Sequence, residues 1–234
     1  MSEATSAHTI RKIVHGDHPD PFSVLGLHTF KSGDGGESTI LRAFVPWAQE
    51  LSAIFDGTEA PVTLERIHPG GFFAAVLSSD TTGSYRLRGV TAEGESVEFA
   101  DPYAFGPTLG DLDLHLLGEG TDLRMYHKLG AHPHVVEGIG GVRFAVWAPN
   151  AQRVSVVGDF NEWDGRRHVM RVHHGVGIWD IFVPGLEPGA VYKYEIKPHH
   201  GAPFLKSDPV AFRSELRPAT ASIVHELGRY EWGD

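Results

Sequence analysis

The stretch from residue 158 to residue 165 has the clearest capacity to bind a ligand. It reads Gly-Asp-Phe-Asn-Glu-Trp-Asp-Gly, follows a predicted strand and ends in Asp-Gly, a strong turn pair. Such a turn presents Asn161 and Trp163 together, an amide beside a flat apolar ring. Sugars have an apolar C–H face and a rim of hydroxyls, so this combination suits carbohydrate binding. The alternative is that Trp163 only plugs the end of the domain.

A second candidate lies on the strand predicted over residues 190–196. Along this segment Tyr192 and Tyr194 alternate with Lys193, so the lysine points away from the predicted core. Its ammonium group can donate hydrogen bonds to a sugar hydroxyl. A solvated lysine on an exposed face would produce the same pattern, and both interpretations stay open at this point.

Other chemistry finds no support in the sequence. The chain has no cysteine, which excludes disulfides, thiolate catalysis and zinc–cysteine sites. Acidic pairs such as Asp111 and Asp113 show no sign of the pocket that holds two carboxyls ~5–9.5 Å apart for glycoside hydrolysis. Histidine pairs such as His132 and His134 lack a third ligand at a convincing spacing. We therefore predict no catalytic residue, no metal and no cofactor.

Charge and hydropathy narrow the range of partners. The formal net charge is −10 and the cations are scattered, which argues against nucleic acid as a partner. The longest apolar run, residues 72–77, is far shorter than the ~20 residues of a membrane span, and the N-terminus lacks the apolar core of a secretory signal. We expect a monomeric cytoplasmic protein that makes no membrane contact.

The elements that would position these candidates are mostly strands. Short strings of β-branched and aromatic residues recur between glycine and proline turns, which is typical of β-structure. The predicted strands form two sets, residues 39–45, 51–55, 72–77, 85–90 and 96–99, and residues 141–148, 153–157, 178–183 and 191–196. Apolar residues at i, i+3 and i+4 predict a short helix within the first twenty residues, and a second helix is predicted over roughly 121–129.

The two sets of strands resemble each other at an offset of about 102–107 residues. Residues 42–48 match residues 144–150 in kind, and Asp-Pro-x-Ala-Phe occurs at both 101–105 and 208–212. We predict an all-β protein of two tandem immunoglobulin-like β-sandwich domains with short flanking helices. The expected ranges are residues 1–112, a linker with a short helix over 113–137, and residues 138–228.

Several ordered motifs resemble one enzyme family. Residues 142–151 and 154–163 resemble the family 48 carbohydrate-binding module, and residues 18–26 resemble the opening of the extra N-terminal module of bacterial glycogen branching enzymes. Residues 109–116 and 128–133 resemble the joint between these two modules in that family. Residues 206–212 and 217–222 resemble the exit from the second module. The resemblance covers nearly the whole chain.

The resemblance implies cleavage of an α-1,4-glucan chain and its rejoining as an α-1,6 branch, on a family 13 (β/α)₈ barrel. Such a barrel alone needs about 250 residues. We therefore expect an N-terminal region that is inactive by itself, with residues 229–234 as the start of the catalytic domain. The implied partners are an α-1,4-glucan, such as glycogen or a maltooligosaccharide, and the catalytic barrel. The alternative is a stand-alone glycogen-binding or scaffold protein without catalysis.

The resemblance also implies which residues contact glucan. Trp163 matches the sugar-stacking turn tryptophan of glycogen-binding members, Lys193 matches the strand lysine, and Asn161 lies in the same turn. Members usually carry a second stacking tryptophan after the lysine strand, where the nearest aromatic residue of this chain is Phe204, a poor match. Because each stacked ring contributes on the order of 1 kcal/mol, one platform in place of two predicts weaker binding. The competing role of Trp163 is to brace the barrel.

Overall fold

Antiparallel strands make up most of both halves of the chain. The computed structural model describes residues 5–31, 36–58, 60–78 and 83–227. Contacts divide the chain into two units, Met1–Ala104 and Phe105–Asp234. The predicted all-β fold with short helices is confirmed. The predicted start of a catalytic domain at residues 229–234 lies outside the described residues.

The described part of the first unit forms an antiparallel sheet in the order β1-β2-β5-β4-β3-β6-β7. Its strands are β1 (Gly26–Lys31), β2 (Glu37–Phe44), β3 (Glu50–Phe55), β4 (Val62–His68), β5 (Phe72–Leu77), β6 (Tyr85–Val90) and β7 (Ser96–Phe99). The sheet folds over a core shared by its two ends, in which Leu41 and Phe73 from β2 and β5 belong to the same cluster as Phe55 and Leu87 from β3 and β6.

The second unit is a sandwich of two sheets, with strand orders β10-β13-β14 and β11-β12-β9-β8, and with β15 added to β13. Its strands are β8 (Gly130–Val136), β9 (Ile139–Trp147), β10 (Ala151–Gly158), β11 (Arg171–His173), β12 (Ile178–Pro184), β13 (Val191–Pro198), β14 (Phe204–Lys206) and β15 (Ser222–Ile223). The two sheets meet in the core, where the rings of Phe144 on β9 and Tyr192 on β13 pack edge to face with centroids 5.0 Å apart.

The first helix agrees with the prediction and the second does not. Helix α1 (Ala7–Val14) buries Ile10, Ile13 and Val14, and its first turn is capped by the Ser6 hydroxyl, which accepts a hydrogen bond from the Thr9 N–H. Helix α2 spans Asp111–Glu119 instead of 121–129, where the structure has only a single 3₁₀ turn. Two acidic residues stabilise the first turn of α2, and Gly120 in a left-handed conformation ends it.

The segment predicted as a linker packs onto the second unit. Residues 130–136 form strand β8, which pairs along its whole length with β9. Leu109 and Leu129 are buried against Ala145 and Ile178 of the second unit. This burial explains why contacts divide the chain after Ala104, ahead of residue 112 where the sequence placed the end of the first module.

Every predicted strand is present, and further strands appear, namely β1, β8, β11, β14 and β15 at sheet edges and β4 in the middle of the seven-stranded sheet. Among the described residues, no helix is long and apolar enough to cross a membrane.

The internal repeat extends to individual hydrogen bonds. The Tyr85 hydroxyl donates to Asp101 Oδ2 over 2.7 Å, and the Tyr192 hydroxyl donates to Asp208 Oδ2 over 2.6 Å. The proposed match of residues 42–48 with 144–150 is wrong by one residue. The Val45 N–H donates to the Gly71 carbonyl as the Ala148 N–H does to that of Gly177, so the offset between these strands is 103.

Candidate carbohydrate-binding surface

The turn that carries Trp163 begins directly where β10 ends. A single 3₁₀ turn, Asp159–Asn161, follows Gly158 and leads into two residues with left-handed backbone, Glu162 at φ 57° and Trp163 at φ 59°. Positive φ is uncommon for residues other than glycine, so surrounding contacts must hold this conformation. One of them is the Trp163 N–H, which donates to the Gly158 carbonyl over 2.9 Å. The tryptophan is therefore fixed by its backbone at the end of β10.

Asn161 is the buried support of this turn. Its exposed fraction is 0%, and its Oδ1 accepts from the Gly158 N–H over 3.0 Å. Its Nδ2 donates to the Val156 carbonyl and to Nδ1 of His168, each over 2.9 Å. Burial lowers the pKa of His168 to about 3, which keeps the imidazole neutral and able to accept this bond. The amide thus positions the turn and has its donors and acceptor engaged inside the protein.

A second set of contacts holds the other end of the turn against the β10–β13 pair, on the outer face, which is the face turned away from the core residues Tyr192 and Tyr194. The Gly165 carbonyl accepts from the Ser155 hydroxyl over 2.6 Å and from Arg153 Nη1 over 3.0 Å. Arg153 is itself buried and forms an ion pair with Glu195 of β13. A β-carbon at Gly165 would meet the Glu195 carboxylate, so a larger residue at this position would require the Glu195 side chain to move. The turn is clamped at both ends onto strands β10 and β13.

Trp163 keeps part of its ring accessible at this surface. Its side chain is half-buried, and its indole Nε1 donates to Asp159 Oδ1 over 2.8 Å. Because the indole N–H is bonded to Asp159, a ligand can contact Trp163 through the face of its ring. An indole face presented this way is suited to packing against the C–H face of a sugar.

Lys193 lies at the same end of the same face. It pairs with Val157 in the β10–β13 register, one residue before Gly158, whose carbonyl holds the Trp163 backbone. Its Nζ donates to the hydroxyl of Thr220 over 2.8 Å at an exposed position. Lys193 and the turn that carries Trp163 therefore lie at the same end of the β10–β13 pair, with the Thr220 hydroxyl beside the ammonium group.

Phe204 is placed elsewhere. On β14 it stands directly opposite Ile196, which shares a strand face with Tyr192 and Tyr194, and directly opposite residues of paired strands point the same way. Leu205 instead stands opposite Glu195 on the outer face and is 47% exposed. The structure does not bring Phe204 to the face that holds Lys193. This surface therefore offers one aromatic ring, an ammonium group and a hydroxyl.

Two domain families account for most of the sequence. Residues 6–103 match the family described as alpha-1,4-glucan branching enzyme GlgB, N-terminal domain. Residues 128–211 match carbohydrate-binding module 48, also described as the isoamylase N-terminal domain. Each unit is thus similar to one of these two families. The predicted family resemblance is thereby confirmed for both parts of the chain.

Whole-length comparison gives the same assignment. The chain is 51% identical over 95% of its length to the 1,4-alpha-glucan branching enzyme GlgB of Paramagnetospirillum magneticum, and covers 29% of that protein. It is 44% identical over 100% of its length to the GlgB of Synechococcus elongatus, and covers 30% of it. The chain thus spans about 30% of the length of these curated relatives.

Solved structures give a weaker comparison. The chain aligns with pullulanase type I of Bacillus subtilis at 15% identity, covering 85% of this chain and 26% of that one, with a TM-score of 0.36.

The family 48 module contains positioning residues that sequence patterns did not single out. Arg153, Ser155 and Glu195 hold the turn, and His168 completes the hydrogen bonds of Asn161. Strand alternation does place Arg153 and Glu195 on outer faces, so opposite charges on neighbouring strands were an available signal. In the part of the chain that the structure describes, no cluster of three metal-binding side chains is present.

Proposed function

We propose that this chain is the glucan-holding N-terminal region of a glycogen branching enzyme. The observation that carries the proposal is the 51% identity to GlgB over 95% of the chain. In this proposal the whole enzyme converts α-1,4 linkages into α-1,6 branches, and its chemistry lies in the larger part of the relatives that this chain does not span. The two modules bind or position the glucan and brace the catalytic barrel. A monomeric, cytoplasmic protein remains our prediction.

Within the second unit, the glucan contacts Trp163 and Lys193. The indole face packs on a glucose ring, while the ammonium group and the Thr220 hydroxyl bond its hydroxyls. Asn161 acts through the turn, because its amide is engaged internally. We leave Phe204 out of this contact, since its strand position faces the other way. With a single ring worth on the order of 1 kcal/mol, the affinity for a short glucan is modest.

Titration of the 234-residue chain with maltoheptaose tests this contact. Trp163→Ala is expected to weaken binding at the outer face about fivefold, since one stacked ring is worth on the order of 1 kcal/mol, observed by calorimetry and as smaller shifts of the Lys193 and Thr220 backbone amides in NMR spectra. Trp147→Ala is a matched control, because Trp147 is 62% exposed in the other sheet and its Nε1 donates to the Val176 carbonyl. Equal affinity of wild type and Trp163→Ala contradicts the site.

The alternative is a stand-alone glycogen-binding protein. Both interpretations expect binding, so the distinguishing measurement is catalytic. In the branching-enzyme proposal, the chain alone leaves the iodine staining of amylose unchanged, and supplying the remaining region of a GlgB relative in trans or in fusion changes it. Branching by the isolated 234-residue chain would overturn our placement of the chemistry. Tight glycogen retention with no effect on any branching activity would favour the scaffold function.

A further inference from the structure

The first unit carries an open groove on the outer face of its sheet. Strands β2 and β5 turn Phe44 and Phe72 to this face, and helix α1 covers them with Ile10, Ile13 and Val14. The other half of the same face has no such cover among the described residues. There Val76 is 57% exposed, and a cavity of about 450 Å³ follows the strands.

The groove continues across the sheet. A second cavity of about 390 Å³ shares three lining residues with the first, Thr5, Ile40 and Arg42. The first extends over β4 to Thr63 and Glu65, and the second extends over β1 to His28 and Phe30. Four adjacent strands at a spacing of about 4.8 Å make the path roughly 14 Å long. This length accommodates a short run of sugar units lying across the strands.

The groove combines an apolar floor with balanced charge at its walls. Ala74 pairs with Arg42 on one side and Glu65 on the other, so a small side chain separates opposite charges by roughly 10 Å. The floor continues through Ile40 and Val76, which pair with each other. A phosphate would meet the Glu65 carboxylate and a cation would meet the Arg42 guanidinium. A neutral polyhydroxyl ligand avoids both repulsions and can donate to the exposed Glu65 carboxylate while its C–H faces cover the floor.

An added peptide strand fits this face poorly. Strand β5 is paired with β2 on one side and β4 on the other, so its main-chain groups are engaged within the sheet. β-Strand addition needs an open edge, whereas a ligand on this face must be held by side chains.

We propose that this groove of the first unit binds a short segment of the same α-1,4-glucan, as a second contact separate from Trp163. The inference rests on the proposed function for the identity of the sugar, and on the groove for its location. The first unit then holds glucan itself, in addition to any bracing role.

NMR titration of the full 234-residue chain with maltoheptaose separates the two sites. The groove is followed through the amides of Thr63, Glu65 and Ala74, and the second unit through the Trp163 indole. Both sets are expected to shift. Ala74→Phe fills the groove floor and is expected to weaken the groove response at least about tenfold while leaving the indole response unchanged. Ala92→Phe, in an exposed turn of the same unit, is the matched control and leaves both intact.

Glu65→Gln removes one charged wall with little change of shape and is expected to weaken the groove response about threefold. It gives an independent test should Ala74→Phe disturb folding. If the chemical shifts of the groove amides do not change while that of the Trp163 indole does, glucan binding in the groove is contradicted and the proposed function is not. The reverse result would overturn the Trp163 contact and leave the groove.

Other occupants give distinct outcomes. Groove shifts with inorganic phosphate that match those with maltoheptaose would overturn a neutral ligand. Shifts that grow with protein concentration without sugar would assign the groove to a second copy.

Discussion

The two units share one framework and differ in what they attach to it. The first strand of each unit begins within the sequence Leu-Gly-x-His, at residues 25–28 and 129–132. In each case a ring nitrogen of the histidine is hydrogen-bonded to the leucine carbonyl over 2.9 Å. Each of the two glycines, Gly26 and Gly130, has positive φ and lies close to the residue that follows the repeated Asp-Pro pair, Tyr103 and Val210 respectively. These matched contacts at matched positions indicate duplication of an ancestral sandwich.

The difference lies in the connection after the third strand of each framework. In the first unit residues 56–61 lead from β3 to β4, and in the second residues 159–170 lead from β10 to β11. The longer connection contains Trp163 and folds back onto the outer face of the sheet. The candidate binding surface thus lies on a longer turn of the shared framework, as expected when loops carry function on a rigid scaffold.

The two units also differ in the burial of an ion pair between neighbouring strands. Arg153 and Glu195 form a mostly buried ion pair beneath the long turn of the second unit. In the first unit Arg88 and Glu98 form an ion pair between neighbouring strands with both side chains substantially exposed. Burial decides how much the loss of each ion pair changes the free energy of unfolding, because solvent screens the exposed pair.

Removal of the buried cation is expected to have the largest effect. Arg153→Met leaves the Glu195 carboxylate without its ion-pair partner and the Gly165 carbonyl with the Ser155 hydroxyl alone, and should destabilise the second unit by about 3 kcal/mol. Glu98→Gln breaks the exposed pair of the first unit and should cost less than about 1 kcal/mol. Urea unfolding of each variant checks both values, and equal costs would contradict the role assigned to burial.

The buried tyrosine–aspartate hydrogen bonds are expected to have the second largest effect on stability, and they test the duplication. Tyr85→Phe should cost about 2 kcal/mol, since it removes a hydrogen bond to a buried carboxyl. Tyr192→Phe should cost less, because Asp208 also accepts from the Tyr194 hydroxyl over 3.3 Å. The measurement is unfolding free energy, with Tyr126→Phe, an exposed tyrosine, as control. A larger loss for Tyr192→Phe would break the proposed correspondence.

The pH dependence of stability should have opposite signs in the two units. Burial lowers the pKa of His168 to about 3, so the unfolded chain binds the proton more readily, and this residue costs stability as pH falls below about 6.5. Burial raises the pKa of Asp101 to about 6, so the folded first unit binds the proton more readily and gains stability as pH falls from about 6 toward 4.

Neither slope exceeds about 1.4 kcal/mol per pH unit for one proton. Burial also raises the pKa of Asp208, which opposes His168 within the second unit. His168→Gln therefore isolates the histidine, since it keeps an acceptor for Asn161 and does not titrate. Unit-resolved amide exchange between pH 4 and 7 provides the measurement, and an unchanged acid slope in this variant would contradict the assignment.

Lys193 should show the smallest effect on stability. Lys193→Met removes an exposed hydrogen bond to Thr220 and should change the unfolding free energy by less than about 0.5 kcal/mol. Its affinity for maltoheptaose should fall about threefold if the ammonium group contacts glucan. Lys197→Met, on the same strand face, is the control, and equal losses from both variants would indicate general electrostatics.

Strand prediction succeeded where β-branched and aromatic residues alternate and failed where partners supply the pairing. Strand β8 contains Pro133 and two histidines, which gives no recognisable strand pattern, yet it pairs with β9 along its whole length. Helix α2 was placed too far along the chain because Gly120 was not used as its end. Local pattern alone does not report such long-range partners.

By itself the sequence determined the strand segments, the duplication and the choice of Trp163 and Lys193 as outer-face candidates, because alternation and turn chemistry are local properties. Only the tertiary structure decided that the Asn161 amide is used inside the turn and that Phe204 faces away from Lys193. It also decided that Arg153 and Glu195 meet under the turn. These outcomes depend on strand register and on a loop folding back over a sheet, which join residues far apart in the chain.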